Sequence, residues 1–418
     1  MFNNIKYIKT NDENSLIRLI IASFGFTIVV NTINCIVNVF IPNTPIDTLI
    51  CYFVFSILVL LALPTLIYRL SRISICAFFV VVFMYIFAFI NPYSSNYALS
   101  FFIKTITQAF PFFILGQSVR DENKLIDNLI KVSPIMIVVA AFYYVVIFAT
   151  GVGVREDYMT FSYCLLPFTA LQLLSCLKKN SIKKIVFLII ASGVHILTGT
   201  RGPVICIFVC FVMGVFFSDI KKKTRVTLVL LGSALGLFIA SPLFSSSVSY
   251  LNAIFLNMGI KNRILTKILS ENFWVSTGRQ DVANVVLRAI AQRPFTGYGF
   301  LGDRSFQNGG YPHNFVLEVW CQYGVVLGSV IVISLLVVFF RVLSKRKNNR
   351  TLLIVLFSVT YVKLMMSGTY PVEGMFFFLL GLCLNKWVDE SSNYTIIDYE
   401  MLDNNNLNNE NSNNEIQN

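Results

Sequence analysis

The chain has 418 residues, of which 56% are apolar, 14% aromatic and only 13% charged. A soluble domain carries about 25% charged residues, so a water-soluble enzyme and a disordered protein are both disfavoured from the start. The formal net charge is +12, which in a membrane protein follows from basic anchoring loops and is no argument for nucleic acid.

The apolar residues come in blocks of roughly 17–25, the length a helix needs to cross the hydrocarbon core. Twelve spans are predicted, at 16–41, 47–68, 73–91, 97–118, 132–150, 161–177, 184–199, 202–218, 226–241, 314–340, 351–368 and 371–388. The first block follows Lys6, Lys9 and Arg18 like a signal peptide, but it is too long for one and lacks a small-residue cleavage site. Four regions follow: spans over 1–241, a long loop at 242–313, spans over 314–388, and an Asn/Glu-rich tail at 389–418 expected to be disordered. The nine cysteines lie nearly all inside apolar blocks without CxxC spacing, and read as small hydrophobes.

Basic residues fall in alternate loops. They are Arg69 and Arg72, then Arg120, Lys124 and Lys131, then Lys178, Lys179, Lys183 and Lys184. Lys221, Lys222, Lys223 and Arg225 follow, and last Arg341, Lys345, Arg346, Lys347 and Arg350. The positive-inside rule places these loops and both termini in the cytoplasm, and the loop 242–313, about 70 residues long, outside.

The outer side is expected to be poor in arginine, so its exceptions are candidates: Arg155, Arg201, and in the long loop Lys261, Arg263, Lys267, Arg279, Arg288, Arg293 and Arg304. Long loops cross regardless of charge, which covers part of this set. It covers Arg201 poorly, because Leu197-Thr198-Gly199-Thr200-Arg201-Gly202-Pro203 is a two-helix turn of almost no length. Thr200 is a candidate N-cap and Pro203 suits a first helical turn. Arg201 then sits at a helix N-terminus, where N–H groups and a guanidinium suit phosphate; the alternative is an anchor to lipid headgroups.

Ser276-Thr277-Gly278-Arg279-Gln280-Asp281 opens a predicted amphipathic helix running to Pro294, with Val282, Val285, Val286, Ala289 and Ile290 at helical spacing. Arg279 in its first turn opposes the helix dipole unless an anion offsets it, whereas Arg288 and Arg293 suit the C-terminal end. Gly297-Tyr298-Gly299-Phe300-Leu301-Gly302 fits a dinucleotide motif by letters, but no strand precedes it, and it reads as a glycine-rich turn. Tyr311-Pro312-His313-Asn314 leads into span 10, with Asn314 a candidate N-cap and Glu318 one turn further in. His313 is suited to donate to phosphate or exchange a proton, or else to hold the loop by a hydrogen bond. A carboxylate at the position of Glu318 needs a partner. His195, buried in span 7, reads as a structural hydrogen bonder. Lys104, Lys363, Glu373 and the pair Glu156/Asp157 are left without a role. No outer cluster offers metal-ligand sets.

The assembled pattern resembles the bacterial O-antigen polymerase and ligase superfamily, of Wzy and WaaL type. The resembling residues are Thr198-Gly199-Thr200-Arg201-Gly202, Thr277-Gly278-Arg279, Arg293-Pro294 with Gly297-Tyr298-Gly299, and Pro312-His313-Asn314-Phe315-Val316-Leu317-Glu318, followed by Tyr323-Gly324 and Gly328. The resemblance implies an all-α polytopic membrane protein of GT-C type. It also implies metal-independent, cofactor-free transfer of a glycan from undecaprenyl diphosphate to a sugar hydroxyl, on the outer face of the plasma membrane. Arg201, Arg279 and His313 match the family's donor-engaging residues, and Glu318 is a further candidate for catalysis. Arg155, Arg288, Arg293, Asn314 and Tyr298 are candidates for substrate binding. The expected partners are the lipid-linked oligosaccharide, membrane lipid and a chain-length regulator protein, with no nucleic acid. Polymerase is the leading expectation. A ligase moving glycan to lipid A core and a lipid-linked-oligosaccharide flippase are the alternatives, though a flippase needs charges through its spans rather than at one face.

Overall fold

The structure, a computed structural model, describes residues 12–40, 46–150, 158–179, 181–198, 200–218, 220–239, 241–257, 263–269, 279–346 and 350–385. Arg155, Glu156, Asp157, Gly199, Lys261, the stretch 276–278 and the tail 389–418 lie outside them. Every regular element among the described residues is helical. In chain order these are α1 (Glu13–Phe40), α2 (Ile46–Tyr68), α3 (Arg72–Ile90), α4 (Ser95–Lys104), α5 (Phe110–Ser118), α6 (Glu122–Thr150), α7 (Tyr158–Lys178), α8 (Ile182–Leu197) and α9 (Arg201–Phe217). They continue with α10 (Lys222–Ile239), α11 (Pro242–Asn257), α12 (Arg263–Leu269), α13 (Arg279–Gln292), α14 (Phe315–Tyr323), α15 (Val325–Lys345), α16 (Arg350–Phe357) and α17 (Gly374–Cys383). One-turn π segments follow α4 at Thr105–Ala109 and α16 at Ser358–Val362.

Helices lie at all twelve apolar blocks. Among the described residues, seven are long and apolar enough to cross a membrane, including the continuous segment Ser95–Ser118. Arg201–Phe217, Arg350–Val362 and Gly374–Cys383 are apolar but shorter.

Composition decides which helix is central. In α7, Ser162, Thr169, Gln172 and Ser175 are buried. Polar side chains in a bilayer turn to the bundle interior, because lipid offers them no partner. Ser162 Oγ and Thr169 Oγ1 meet the two ring nitrogens of His195 on α8 at 2.8 and 3.0 Å. Gln172 accepts from Ser133 of α6 at 3.1 Å. Such contacts contribute about 0.6–2 kcal/mol each in a membrane. Accordingly α7 packs against α1, α6, α8, α9 and α16, and 78% of its apolar window is buried, against 11% for α15. α15 lacks a polar stripe and turns Val326, Val330, Ile333 and Val337 outward. His195 is thus the structural hydrogen bonder its sequence position suggested, and no disulfide joins the nine cysteines, all of which are described.

Ion pairs close one end of the bundle. Arg69 pairs with Glu13 and donates to the Ser118 carbonyl at 2.8 Å. Arg346 pairs with Glu122 at 2.5 Å and donates to the carbonyls of Leu382 and Asn385. These contacts join the ends of α1, α2, α5, α6, α15 and α17.

The block 314–340, expected as one span, is two helices. Gly324 breaks it with φ of +79°, a left-handed conformation that glycine adopts without steric cost. The glycine turn after α13 docks here. Tyr298 and Gly299 donate backbone hydrogen bonds to the carbonyls of Cys321 and Gln322, and Val325 N–H donates to the Pro294 carbonyl. A Cβ on Gly324 would lie 2.3 Å from the Phe295 oxygen, so the loop and the break require each other. The loop's amphipathic helix, expected from 276 to 294, runs over Arg279–Gln292, and buries Val286, Ala289 and Ile290 beside Tyr298 and Cys321.

The alternating basic loops put Ser305 outside and Ser344 inside. A cysteine at Ser305 is expected to react with an impermeant thiol reagent on intact cells, above the background of the native Cys76. One at Ser344 is expected to react only after permeabilisation. Equal labelling would refute the sidedness.

Candidate active site

Three helix N-termini meet at the end of the bundle opposite the ion pairs. Arg201 is the first residue of α9, Arg279 the first of α13, and Asn314 the N-cap of α14. Arg201, Gly202, Arg279, Pro312, His313, Asn314 and Leu317 line one cleft of about 280 Å³, backed by Met365 and Met366. A helix N-terminus presents N–H groups that have no partner within the helix, and the positive end of a helix dipole. Together with two guanidiniums they form a site for a multiply charged anion.

Local sequence explains each placement. The Asn314 side chain accepts from Leu317 N–H at 3.1 Å, the cap its position predicted. Thr200 occupies the N-cap of α9 without making the side-chain cap; its hydroxyl instead meets that of Thr198 at 2.9 Å. Gly202 admits the Tyr163 hydroxyl, which an added Cβ would meet at 1.8 Å. Arg279 donates to the Met366 carbonyl at 2.7 Å and reaches the Met159 sulfur at 3.6 Å. Neither acceptor carries a charge.

His313 adopts φ of +54°. Left-handed backbone costs a non-glycine residue roughly 1–2 kcal/mol and persists only where its surroundings hold it. Its Nδ1 is buried and has no hydrogen-bond partner among the described residues. Burial, then the nearby Arg279 and Arg304 guanidiniums, lower its pKa from 6.5 to about 4. The imidazole is therefore neutral at physiological pH, and so able to accept a proton.

The structure does not bring the other candidates to the cleft. Glu318 is fully buried and meets Arg304 at 2.5 Å, and it also accepts from Thr369. Arg304, fully buried too, is paired with Asp303 as well, and Asp303 accepts from Gln322 at 2.7 Å. Tyr298 is buried, donating to the Ala289 carbonyl at 3.1 Å. Arg293 is exposed, bonded to Tyr93 at 3.0 Å and stacked on the Tyr93 and Tyr298 rings. Arg288 is exposed on α13, away from the cleft lining. Arg155 lies outside the described residues. Among those residues, no three His, Cys, Asp or Glu side chains gather as metal ligands.

The Arg304 network escaped sequence reasoning, although the need of Glu318 for a partner signalled half of it. Lys363 and Glu373 also pair, at 2.6 Å, beside the Tyr163 ring.

The matched region coincides with the cleft. Residues 186–332 match the family described as O-antigen ligase. Over this segment the chain is similar to that O-antigen ligase family. The segment contains Arg201, Arg279, His313 and Asn314, together with α13 and α14. No curated protein and no solved structure matches the chain.

A histidine whose folded pKa lies below its unfolded value favours the folded state only while neutral. That contribution is whole above about pH 6.5 and is lost as pH falls toward 4. Thermal unfolding of wild type and His313→Gln is expected to show this. The Tm of wild type relative to the variant falls as pH drops from 7 to 4; a constant difference would contradict the lowered pKa.

Proposed function

We propose that the chain transfers a glycan from undecaprenyl diphosphate to a hydroxyl of another lipid-linked repeat unit, at the outer face of the plasma membrane. The fold in this reading is GT-C-like. The observation that carries it is the cleft where three helix N-termini, two arginines and a neutral imidazole converge. The acceptor oxygen attacks the anomeric carbon and the bond from that carbon to the diphosphate oxygen breaks. Negative charge grows on the departing diphosphate. Arg201, Arg279 and the helix N-termini are placed to stabilise it, a type of contact in which one donor contributes about 3 kcal/mol, or roughly a hundredfold in rate. The hydroxyl proton passes to His313. Glu318 is a poorer base, since its carboxylate already accepts from Arg304 and Thr369.

The superfamily match supports O-antigen ligase and polymerase chemistry in general. The match to a family described as O-antigen ligase keeps the ligase, which moves finished glycan to lipid A core or another acceptor, as the second reading.

Deleting the gene separates the two. A polymerase deletion leaves a single repeat unit on the surface acceptor, the expected result. A ligase deletion leaves the acceptor bare and polymer on the carrier lipid, which would overturn the first reading while keeping the enzyme class. Complementation tests the cleft. Arg201→Lys and Arg279→Lys keep the charge but lose the fork that binds phosphate bidentately, so each is expected to shorten surface glycan at normal protein abundance. Arg288→Lys is expected to be mild. Normal-length glycan from both cleft variants would overturn the mechanism.

A further inference from the structure

The fully buried Arg304 has no place in the chemistry just described, yet it contacts the loop that carries the cleft's histidine and the start of α14. One nitrogen meets Glu318 on the first turn of α14 at 2.5 Å and also donates to Thr369, in the turn that precedes α17. The other pairs with Asp303 and reaches the Gly310 carbonyl at 3.4 Å. The Arg304 carbonyl accepts from Gly309 N–H at 3.0 Å. The chain then runs through Tyr311 and Pro312 to His313. The Tyr311 ring lies between the two: its centre is 5.7 Å from the Arg304 guanidinium carbon and 4.3 Å from the His313 ring centre. Glu318 N–H donates to the Asn314 carbonyl, so α14 begins where the same network fixes it.

We propose that Arg304 and Glu318 are positioning residues for His313, acting through the Tyr311 ring and the start of α14. The inference rests on the glycosyl-transfer reading for its consequence in turnover, but not for its geometry. It removes Glu318 from the acid–base chemistry. Its carboxylate orders Arg304, Arg304 seats Tyr311, and Tyr311 covers one side of His313. The strained backbone of His313 is the kind of conformation that surrounding contacts must impose. The groups facing His313 are Arg201 from α9, Arg279 from α13, and Arg304 and Tyr311 from its own loop. Lys363 and Glu318 act on Tyr311 from behind.

The chain has two histidines, so isotope-labelled histidine in the full-length protein, held in lipid nanodiscs, gives two ring signals, and His313→Ala assigns them. Wild-type His313 is expected to titrate far below 6.5. Tyr311→Leu is expected to move that titration toward 6.5 and to lower kcat by on the order of tenfold, with KM little changed. Tyr311→Phe keeps the ring and is expected to keep both. Glu318→Ala is expected to lose turnover, and Glu318→Gln, which retains acceptors for Arg304 and Thr369, to restore most of it. Two results overturn the proposal: an unmoved His313 titration in Tyr311→Leu, or a Glu318→Gln as inactive as Glu318→Ala while His313 titrates as in wild type. If wild type itself transfers no glycan, the glycosyl-transfer reading fails, and the titrations still decide the positioning.

Discussion

A charge taken out of water must find its counter-charge inside the protein, and this constraint organises the molecule. Removing one partner of a buried ion pair costs about 3–5 kcal/mol, because the remaining charge is stranded. The pairs Arg69–Glu13 and Arg346–Glu122 answer the constraint at one end of the bundle, and Lys363–Glu373 and the Arg304 network at the other. Arg279 answers it differently. Among the described residues its hydrogen bonds go to a carbonyl oxygen and a sulfur, and in the proposed reading an anionic ligand supplies its counter-charge. The helix dipole behind Arg279 makes the same demand, since a cation in a first turn is unfavourable unless an anion stands before it. Stability and function therefore use the same side-chain chemistry with opposite outcomes.

The constraint also separates two kinds of buried carboxylate. A base needs open lone pairs aimed at the substrate. Asp303 and Glu318 spend theirs on Arg304, Gln322 and Thr369. His313 keeps a buried ring nitrogen with no hydrogen-bond partner among the described residues, and burial, then two nearby arginines, lower its pKa. The proposed division of labour in the cleft gives the guanidiniums to the leaving group, the imidazole to the proton, and the buried ion network to holding the imidazole in place.

Much of this was legible in the sequence, for identifiable reasons. Hydropathy marked each helical block, because a bilayer leaves the backbone few ways to satisfy its own hydrogen bonds. Arg201 stood out because it sits in an outer two-helix turn of almost no length, and Arg279 because a cation in a helix's first turn is unfavourable. Asn314 was readable as a cap from its position alone. The break at Gly324 was not, because it exists only through docking of the turn that follows α13, some 25 residues away in sequence. Arg304 was not either. Its partners are Asp303, its neighbour in the chain, and Glu318 and Thr369, which only tertiary folding brings to it. Tyr298 and Arg293 shared a motif with the cleft residues, yet they pack on Tyr93 and Phe306 and so brace the loop instead.

The central proposal, that a lipid diphosphate supplies a counter-charge for Arg279, is tested most directly by binding. Purified protein in nanodiscs would be titrated with polyprenyl diphosphate and with polyprenyl monophosphate. Wild type is expected to prefer the diphosphate, and Arg279→Lys to weaken that binding by roughly a hundredfold, the scale of a lost charge-assisted contact, while the monophosphate changes little. Equal affinity of wild type and Arg279→Lys for the diphosphate would contradict the account.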